Sequence, residues 1–258
     1  MKKLELNQKI VTYHKISAQN KLPAHFKIYQ EQQVLITVDD GDVSFYQYMF
    51  PILKEFKLPA ILFIITGLID TKIPFWWDEL VYLLGAAEGE KKVWEVKEWP
   101  NYKRLEYLKQ LRKSSGKPLL EQVQLTSDQL LEMQAAGITI ANHSHTHPMF
   151  DRCTEEEMRV EFEKSRQFFE EKGLKGYDLF AYPNGNYSSL TEKVAKEEGI
   201  SRAFLFDHQV PGKKTNPYRI SRLSVTDKTS VKKLQFILSG WHSKFVPVSK
   251  KIYKILNG

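Results

Sequence analysis

The chain repeatedly places a short apolar run, rich in β-branched residues, ahead of a stretch with helical periodicity. Residues 34–38 (VLITV) form one such run, which is too short for a helix and has the composition of a strand buried on both faces. Residues 60–65 (AILFII) and 138–142 (ITIAN) are two more. Because strands that alternate with helices pair through crossover connections, the pattern predicts an α/β fold with a parallel sheet.

The same criteria predict the remaining elements and one domain spanning residues 1–258. The predicted strands are 9–14, 34–38, 60–65, 138–142, 179–182, 203–206 and 220–225, and the predicted helices are 45–56, 76–84, 126–136, 154–172 and 190–198. Thr154, with Glu157 three residues later, forms a capping-box pattern. Residues 85–125 are charged and less periodic, which indicates an excursion from the main fold rather than a second domain.

Composition restricts the class of protein. The 258 residues are 42% hydrophobic, which suits one large domain with a sizeable core. The single cysteine, Cys153, excludes an intramolecular disulfide, and a plain thiol is a better interpretation of it than a metal ligand. Neither a signal-peptide pattern nor an apolar run of about 20 residues is present, so we expect a protein of the cytoplasm or the inner membrane face.

The net charge of +7 is unevenly distributed along the chain. Residues 228–258 contain seven lysines (228, 232, 233, 244, 250, 251 and 254) and no acidic residue. Such a basic tail could contact a membrane or a lipid-linked substrate, and the alternative is a terminal helix pair with a solvated lysine face. No motif that reads nucleic acid is present, so a nucleic-acid partner is not expected.

Two clusters of polar residues follow predicted strands. Asp39 and Asp40 end the run at 34–38, and the heptapeptide NHSHTHP at 142–148 ends the run at 138–142. The carboxyl ends of parallel strands carry the chemistry of α/β folds. Catalytic zinc commonly takes two histidines and a carboxylate and keeps one position open, which makes Asp40, His143 and His147 the candidate ligands.

Asp39 is not needed as a metal ligand and could have a separate catalytic role. Neighbouring residues on an extended backbone face opposite sides, so Asp39 should point away from Asp40. An ionised carboxylate beside a metal site is suited to accept the proton of an attacking water. The pair therefore predicts a metal ligand and a general base in adjacent positions.

Three motifs in this order resemble those of the polysaccharide deacetylases of the NodB homology family, carbohydrate esterase family 4. They are TVDDG at 37–41, HSHTHP at 143–148 and FAYPNG at 180–185. The third motif and the early Tyr-His pair at 13–14 are similar to the branch of poly-N-acetylglucosamine deacetylases. The resemblance implies a distorted (β/α) barrel of about seven parallel strands and hydrolysis of an acetyl group from a sugar.

The resemblance also implies roles for individual residues. Asp39 matches the catalytic base, and Asp40, His143 and His147 match the metal triad, which holds Zn²⁺ or alternatively Co²⁺, Ni²⁺ or Fe²⁺. The backbone N–H of Asn184 matches the donor that helps to stabilise the oxyanion. His145 falls on a variable position and is expected to be a neighbour of the site rather than a ligand.

Two parts of the family pattern are missing from the sequence. Where other branches carry an arginine that orients the base, this chain has Ala181, and Arg219 or Arg222 could substitute from a later strand. The late Leu-x-His motif that supplies a general acid is also absent. The candidates for this acid are three histidines elsewhere in the chain: His14, His208 and His242.

Five residues are assigned to substrate contact. They are His14, Tyr182, Trp76, Trp77 and Arg222. The two tryptophans could offer an aromatic face to a sugar ring, although core packing of at least one is the preferred interpretation.

The leading hypothesis is a metal-dependent hydrolase of the amide bond in N-acetylated sugars, acting on a polysaccharide or on a lipid- or nucleotide-linked precursor of cell-surface glycan biosynthesis. One alternative is a metal-dependent amidohydrolase or phosphoesterase that uses the His-x-His of residues 143–145. A second alternative is a catalytically silent saccharide-binding protein, which the missing arginine and acid would explain. Retention of Asp39 beside a full ligand set argues against the silent protein.

Overall fold

A computed structural model describes residues 8–212 and 216–243. Seven parallel strands form one sheet in the order β6-β5-β4-β3-β2-β1-β7. The strands are β1 Ile10–Tyr13, β2 Leu35–Val38, β3 Ala60–Ile64, β4 Thr139–Asn142, β5 Gly176–Ala181, β6 Arg202–Phe204 and β7 Leu223–Ser224. All neighbouring strands pair in parallel, as the sequence predicts.

The helices of the described part surround this sheet. They are α1 Leu22–Gln32, α2 Phe50–Phe56, α3 Trp76–Leu84, α4 Ala86–Val96, α5 Asn101–Ser114, α6 Ser127–Ala135, α7 Glu155–Glu171, α8 Ser189–Glu197 and α9 Val231–Leu238. A π-helical turn, Phe45–Met49, leads into α2. The predicted capping box at Thr154 is formed, and Thr126 forms a second capping box at the start of α6. Helix α1 was not predicted, because Lys21 at its N-cap provides no side-chain hydrogen bond.

The sheet is curled into a half-barrel whose edges are brought together by the segment at 217–225. Near its start, Ile220 bridges to Phe204 of β6, and the Ile220 carbonyl accepts from the Leu205 N–H at 2.8 Å. Near its end, the Val225 N–H donates to the Thr12 carbonyl of β1 at 3.1 Å. This one segment therefore supplies β7, the edge strand beside β1, and also contacts β6 at the opposite edge, and the expected distorted barrel of seven strands is confirmed.

Alternation along the strands determines what faces the interior of this half-barrel. Alternate residues of a strand, such as Ile61 and Phe63 of β3, lie on the same face of the sheet and pack with Phe204 in an inner apolar cluster. The residues between them, such as Leu62, join the larger core between sheet and helices. Because side chains alternate along a strand, Asp39 lies on the same face as Thr37 of β2 and its side chain points into the half-barrel.

The charged segment at 85–125, for which no helix was predicted, contains two helices. Helices α4 and α5 pack on α3 through a separate apolar cluster that includes Leu80, Val96 and Leu108. The basic tail begins with α9, whose Leu234 and Leu238 are buried against the main core. Its lysines at 244, 250, 251 and 254 lie outside the described residues. Within the described part, no helix combines the length and apolar character needed to cross a bilayer.

Candidate metal centre and catalytic pocket

A pocket of about 520 Å³ lies at the carboxyl ends of the strands, where the two polar clusters meet. Asp40 follows β2 and His143 follows β4, with β3 between these strands in the sheet. Both residues line the pocket together with Asp39 and His147. The fold thus brings together all four residues that the sequence predicts for the chemical centre.

Asp40, His143 and His147 fit a divalent metal ion. Their ligand atoms all lie within 4.8 Å of one another. The Asp40 Oδ1 atom is 3.3 Å from His143 Nε2 and 3.4 Å from His147 Nε2. His143 Nδ1 donates to the carbonyl of Ala181 at 2.8 Å, which fixes the ring with its Nε2 atom directed at the site.

Burial and mutual contacts shift the pKa values of all three side chains. Burial alone would raise the pKa of Asp40, but hydrogen bonds from His143 and His147 lower it well below its ordinary value. Burial lowers the pKa of His147 to about 4, which keeps its imidazole in the neutral form that binds metals. For His143 burial acts in the same direction, but Asp40 and Asp39 raise its pKa above the ordinary value.

Glu161 of α7 holds the loop that carries the histidines. Its buried carboxylate accepts from the backbone N–H groups of His145 and Thr146, each at 2.8 Å, and from the Thr146 hydroxyl at 2.6 Å. The Ser144 hydroxyl accepts from the His147 N–H at 3.0 Å. Glu161 is one residue that sequence reasoning missed, although its place on the inward face of an amphipathic helix is an unusual one for a carboxylate.

Several non-glycine residues at the site have left-handed backbone conformations. The φ angles are +72° at Asp40, +69° at Ser144, +56° at His147 and +57° at Asn184. Such conformations are uncommon for residues other than glycine and cluster at functional sites. At Asp40 this turn breaks the strand alternation, so that the carboxylate leaves the sheet edge toward the histidines.

Arg222 lies directly behind Asp39 in the interior of the half-barrel. Its Nη1 and Nη2 atoms donate to the two carboxylate oxygens of Asp39 at 2.6 and 2.7 Å. Nε donates to the Leu205 carbonyl at 2.8 Å, and Nη1 also reaches the hydroxyls of Thr12 and Thr37 at 3.2 Å. The guanidinium is fully buried. Arg219, the other candidate, pairs with Glu192 elsewhere on the protein at 2.6 Å.

This ion pair determines the charge of Asp39. Burial raises the pKa of the carboxyl, but Arg222 above all, with His143 and His14, brings the pKa below its ordinary value. Asp39 is therefore an ionised carboxylate in a fixed orientation. The expectation that Arg222 touches substrate is wrong, because none of its surface is exposed; the contact it makes is with Asp39.

Of the three histidines considered as general acids, His14 lines the pocket. Its Nε2 atom is 3.9 Å from Asp39 Oδ2, and its ring packs edge-on against Phe206. His208 and His242 are not among the residues that line the pocket. The geometry thus selects His14 from the three candidates.

The turn at Pro183–Gly185 closes the pocket beside the metal ligands. Gly185 is required there, since a Cβ atom would lie 2.7 Å from the backbone nitrogen of Phe206 and its φ is +74°. Asn184 lines the pocket, and its side-chain Oδ1 accepts from Lys97 Nζ at 3.0 Å. Burial lowers the pKa of Lys97 below its ordinary value, and the nearby Asp40 carboxylate opposes this shift only in part.

The aromatic residues divide between core and pocket. Trp77 lines the pocket and packs edge-on against His147, with ring centroids 4.8 Å apart. Trp76 is buried and donates from Nε1 to the His147 carbonyl at 3.2 Å, so it supports the loop instead. Tyr182 is 1% exposed and donates to the Tyr218 carbonyl. The assignment of Tyr182 to substrate contact is therefore wrong, because its side chain belongs to the core.

One wall of the pocket comes from the segment described above as an excursion. Val93 and Trp94 of α4 and Lys97 after it line the site, next to Val81 of the preceding helix α3. Trp94 remains 68% exposed. These residues were missed because the segment is charged and its helices only partly periodic; the pairing of Trp94 with Lys97 was the one available signal.

His145 and Cys153 lie apart from the candidate metal centre. His145 Nδ1 bonds with the Thr66 hydroxyl at 3.0 Å, and His145 does not line the catalytic pocket, as expected of a neighbour. Burial raises the pKa of the Cys153 thiol, whose Sγ donates to the Met149 carbonyl. Neither belongs to the group of possible ligands.

Comparison with known proteins agrees with this geometry. The model of the family described as "Polysaccharide deacetylase" matches residues 27–203. The poly-β-1,6-N-acetyl-D-glucosamine N-deacetylase of Staphylococcus aureus is 22% identical over 209 residues, covering 77% of this chain and 56% of that protein. The Bacillus subtilis protein YxkH is 22% identical over 196 residues, covering 76% and 52%. The chain thus spans about half the length of these curated relatives.

Solved structures show the same fold. The Streptococcus pyogenes deacetylase PplD in complex with acetate superposes with a TM-score of 0.60 at 17% identity, covering 88% of this chain and 96% of that one. IcaB from Ammonifex degensii gives a TM-score of 0.59 at 17% identity, covering 90% and 96%. Since the family model spans more than half of the sequence, the chain belongs to the polysaccharide deacetylase family.

Proposed function

We propose that this protein is a metal-dependent hydrolase that removes the acetyl group from an N-acetylated sugar. One observation carries the proposal: an ionised Asp39, clamped by Arg222, shares a pocket with a group of three residues suited to a metal ion. Family membership supports the same chemistry. A binding protein would have no use for a free base oriented in this way.

Asp40, His143 and His147 would hold the metal, which we propose to be Zn²⁺, with Co²⁺, Ni²⁺ or Fe²⁺ as alternatives. A two-histidine, one-carboxylate set is a common arrangement at catalytic zinc. When bound, such an ion polarises a carbonyl and lowers the pKa of water. The metal's identity is a matter for elemental analysis of the purified protein.

Asp39 acts as the general base in this proposal. Its carboxylate accepts a proton from the water that attacks the acetyl carbon, which requires the ionised form that Arg222 maintains. Arg222 also fixes the direction of the carboxylate, since both oxygens are held. The arginine that the third motif lacks is thus supplied from the segment that closes the barrel.

His14 and Asn184 complete the proposed mechanism. His14 donates a proton to the nitrogen of the leaving amine, for which its place in the pocket beside Asp39 is suitable. The backbone N–H of Asn184 stabilises the negative charge that develops on the acetyl oxygen. Trp77, which lines the pocket, offers the substrate an aromatic surface.

The substrate class is a saccharide that bears N-acetyl groups, as in cell-surface glycan biosynthesis. The Staphylococcus aureus relative is named for poly-β-1,6-N-acetyl-D-glucosamine. Oligomers of that glycan, a nucleotide-linked N-acetyl sugar and a lipid-linked N-acetyl saccharide are therefore the three substrates to compare.

The test is acetate release from these three substrates by the zinc-loaded protein, with the free amine product identified by mass spectrometry. We expect acetate and amine in equal amounts from at least one substrate, and none after chelation. Absence of acetate from every substrate despite a full complement of metal would overturn the proposal. Saccharide binding without turnover would then indicate a silent binder, and phosphate release from a phosphoester would indicate a phosphoesterase.

A further inference from the structure

Lys97 places a positive charge in the pocket and is carried by a helical segment rather than by the end of a strand. It follows α4, is half-buried, and lines the pocket. Its ammonium lies 4.6 Å from the ring centroid of Trp94 and donates to Asn184 Oδ1 at 3.0 Å. Among the residues that the structure describes, no carboxylate lies within salt-bridge distance of it. The Asn184 side chain is therefore its specific polar partner.

The Asn184 side chain is held from two sides. Lys97 donates to its Oδ1, and its Nδ2 donates to Asn186 Oδ1 at 2.7 Å. Asn186 in turn donates to the Asp151 carboxylate at 3.0 Å. Because Asn184 adopts a φ of +57°, which costs free energy for a residue with a Cβ, surrounding contacts must maintain the turn.

We propose that Lys97 is a positioning residue for the hydrolysis: its ammonium, supported by Trp94, fixes the Asn184 side chain and thereby holds the turn whose backbone N–H faces the acetyl oxygen. The inference rests on the proposed function, since it presumes that the Asn184 N–H stabilises the oxyanion. A donor in such a site acts only if its direction is preorganised, because reorganisation during the reaction would reduce its effect.

Lys103 is a matched control within the same segment. Its ammonium lies 4.5 Å from the ring centroid of Trp99, a cation–π contact much like that between Lys97 and Trp94. Lys103 is exposed and does not line the pocket. A general effect of losing a lysine from this helical segment would therefore affect both variants equally.

The kinetic test compares Lys97→Met, Asn184→Gly, the double variant and Lys103→Met, all loaded with zinc. Glycine retains the left-handed turn and the N–H but removes the Oδ1 that Lys97 holds. We expect Lys97→Met to lower kcat about 10-fold with little change in KM, less than the loss of an oxyanion donor itself. The double variant should be no slower than the slower single variant, and Lys103→Met should match wild type.

A second readout needs neither metal nor activity. In ¹⁵N–¹H spectra of the metal-free protein, the amides of residues 184–186 should shift in Lys97→Met and stay in place in Lys103→Met. Unchanged amides with unchanged kcat would overturn the inference. So would additive losses in the double variant, or a rise in KM alone. If wild type releases no acetate, the proposed function fails instead, and the amide shifts still decide whether Lys97 holds the turn.

Discussion

Arg222→Met is the substitution that most directly tests how the base is held. Methionine is a similar length but has no charge and no donor. It would leave the Asp39 carboxylate buried without the two donors that now contact it at 2.6 and 2.7 Å. The pKa of Asp39 would then rise, because burial would no longer be opposed by the guanidinium.

The loss of stability expected for Arg222→Met can be estimated from the burial of the ion pair. Removing one partner of a buried ion pair costs about 3–5 kcal/mol, because an uncompensated charge remains. The Leu205 carbonyl also loses its donor at 2.8 Å, which adds about 1–3 kcal/mol. Against a total stability of about 5–15 kcal/mol, Arg222→Met should bring the protein close to unfolding.

The assay is urea unfolding followed by circular dichroism, arranged as a double-mutant cycle with Asp39→Asn. The cycle isolates the pair from the other bonds of Arg222, and we expect a coupling free energy near the upper end of the range for contacting residues, about 3 kcal/mol. Arg222→Lys, which keeps the charge but not the two-point contact, should be intermediate and provides a measurable variant if the methionine variant is unfolded. Equal m-values would confirm comparable denatured states.

Arg219→Met is the matched control, because Arg219 lies in the same segment and also pairs with a carboxylate, Glu192. Its side chain is 43% exposed, so its loss should cost no more than about 1 kcal/mol. If the coupling between Asp39 and Arg222 were as small as this, the pair would behave as a surface ion pair. The account of a clamped, ionised base would then be refuted.

Three further predictions concern the metal, the acid and pH. Zinc at about 100 times its dissociation constant should add about 2.7 kcal/mol to the free energy of unfolding, and the increase should vanish in Asp40→Asn; equal stabilisation of both would contradict the ligand assignment. His14→Gln should lower kcat on the N-acetyl sugar about 100-fold but spare hydrolysis of 4-nitrophenyl acetate, whose leaving group needs no proton; equal losses would exclude His14 as the acid. The pKa of Asp39 is lower in the folded than in the unfolded state, so its contribution to stability is complete above about pH 4 and lost as pH falls through the folded value. Urea unfolding between pH 6 and pH 3 should therefore show a steeper loss for wild type than for Asp39→Asn, and parallel curves would argue against the depressed pKa.

Local pattern was sufficient to locate the strands and to indicate which candidate metal ligands would lie together. The apolar runs that precede Asp40 and His143 are continuous enough to identify as strands, and parallel strands place their carboxyl ends at one edge. Two residues 103 positions apart, 143 minus 40, could therefore be assigned to one site. Strand alternation turns Asp39 inward to Arg222 as expected, but the positive φ of Asp40 breaks the alternation and brings both carboxylates into one pocket.

What could not be predicted depends on long-range packing. Arg222 is 183 residues from Asp39, and nothing local distinguishes it from Arg219, which lies three positions earlier on the same segment. Only closure of the half-barrel decides which of them is buried. Likewise, Lys97 reaches the pocket because α4 packs on α3, a contact that charged sequence does not indicate. Tyr182 was misassigned because its motif neighbours reach the site while its own side chain turns into the core.

The most direct test of the central claim is acetate release by Asp39→Asn at a metal content equal to that of wild type. Asparagine keeps the shape of the side chain but cannot accept the proton of the attacking water. We expect wild type to release acetate from an N-acetylated saccharide, whereas the variant should retain its zinc and be at least about 100-fold slower. A fully metal-loaded Asp39→Asn variant as active as wild type would contradict the account.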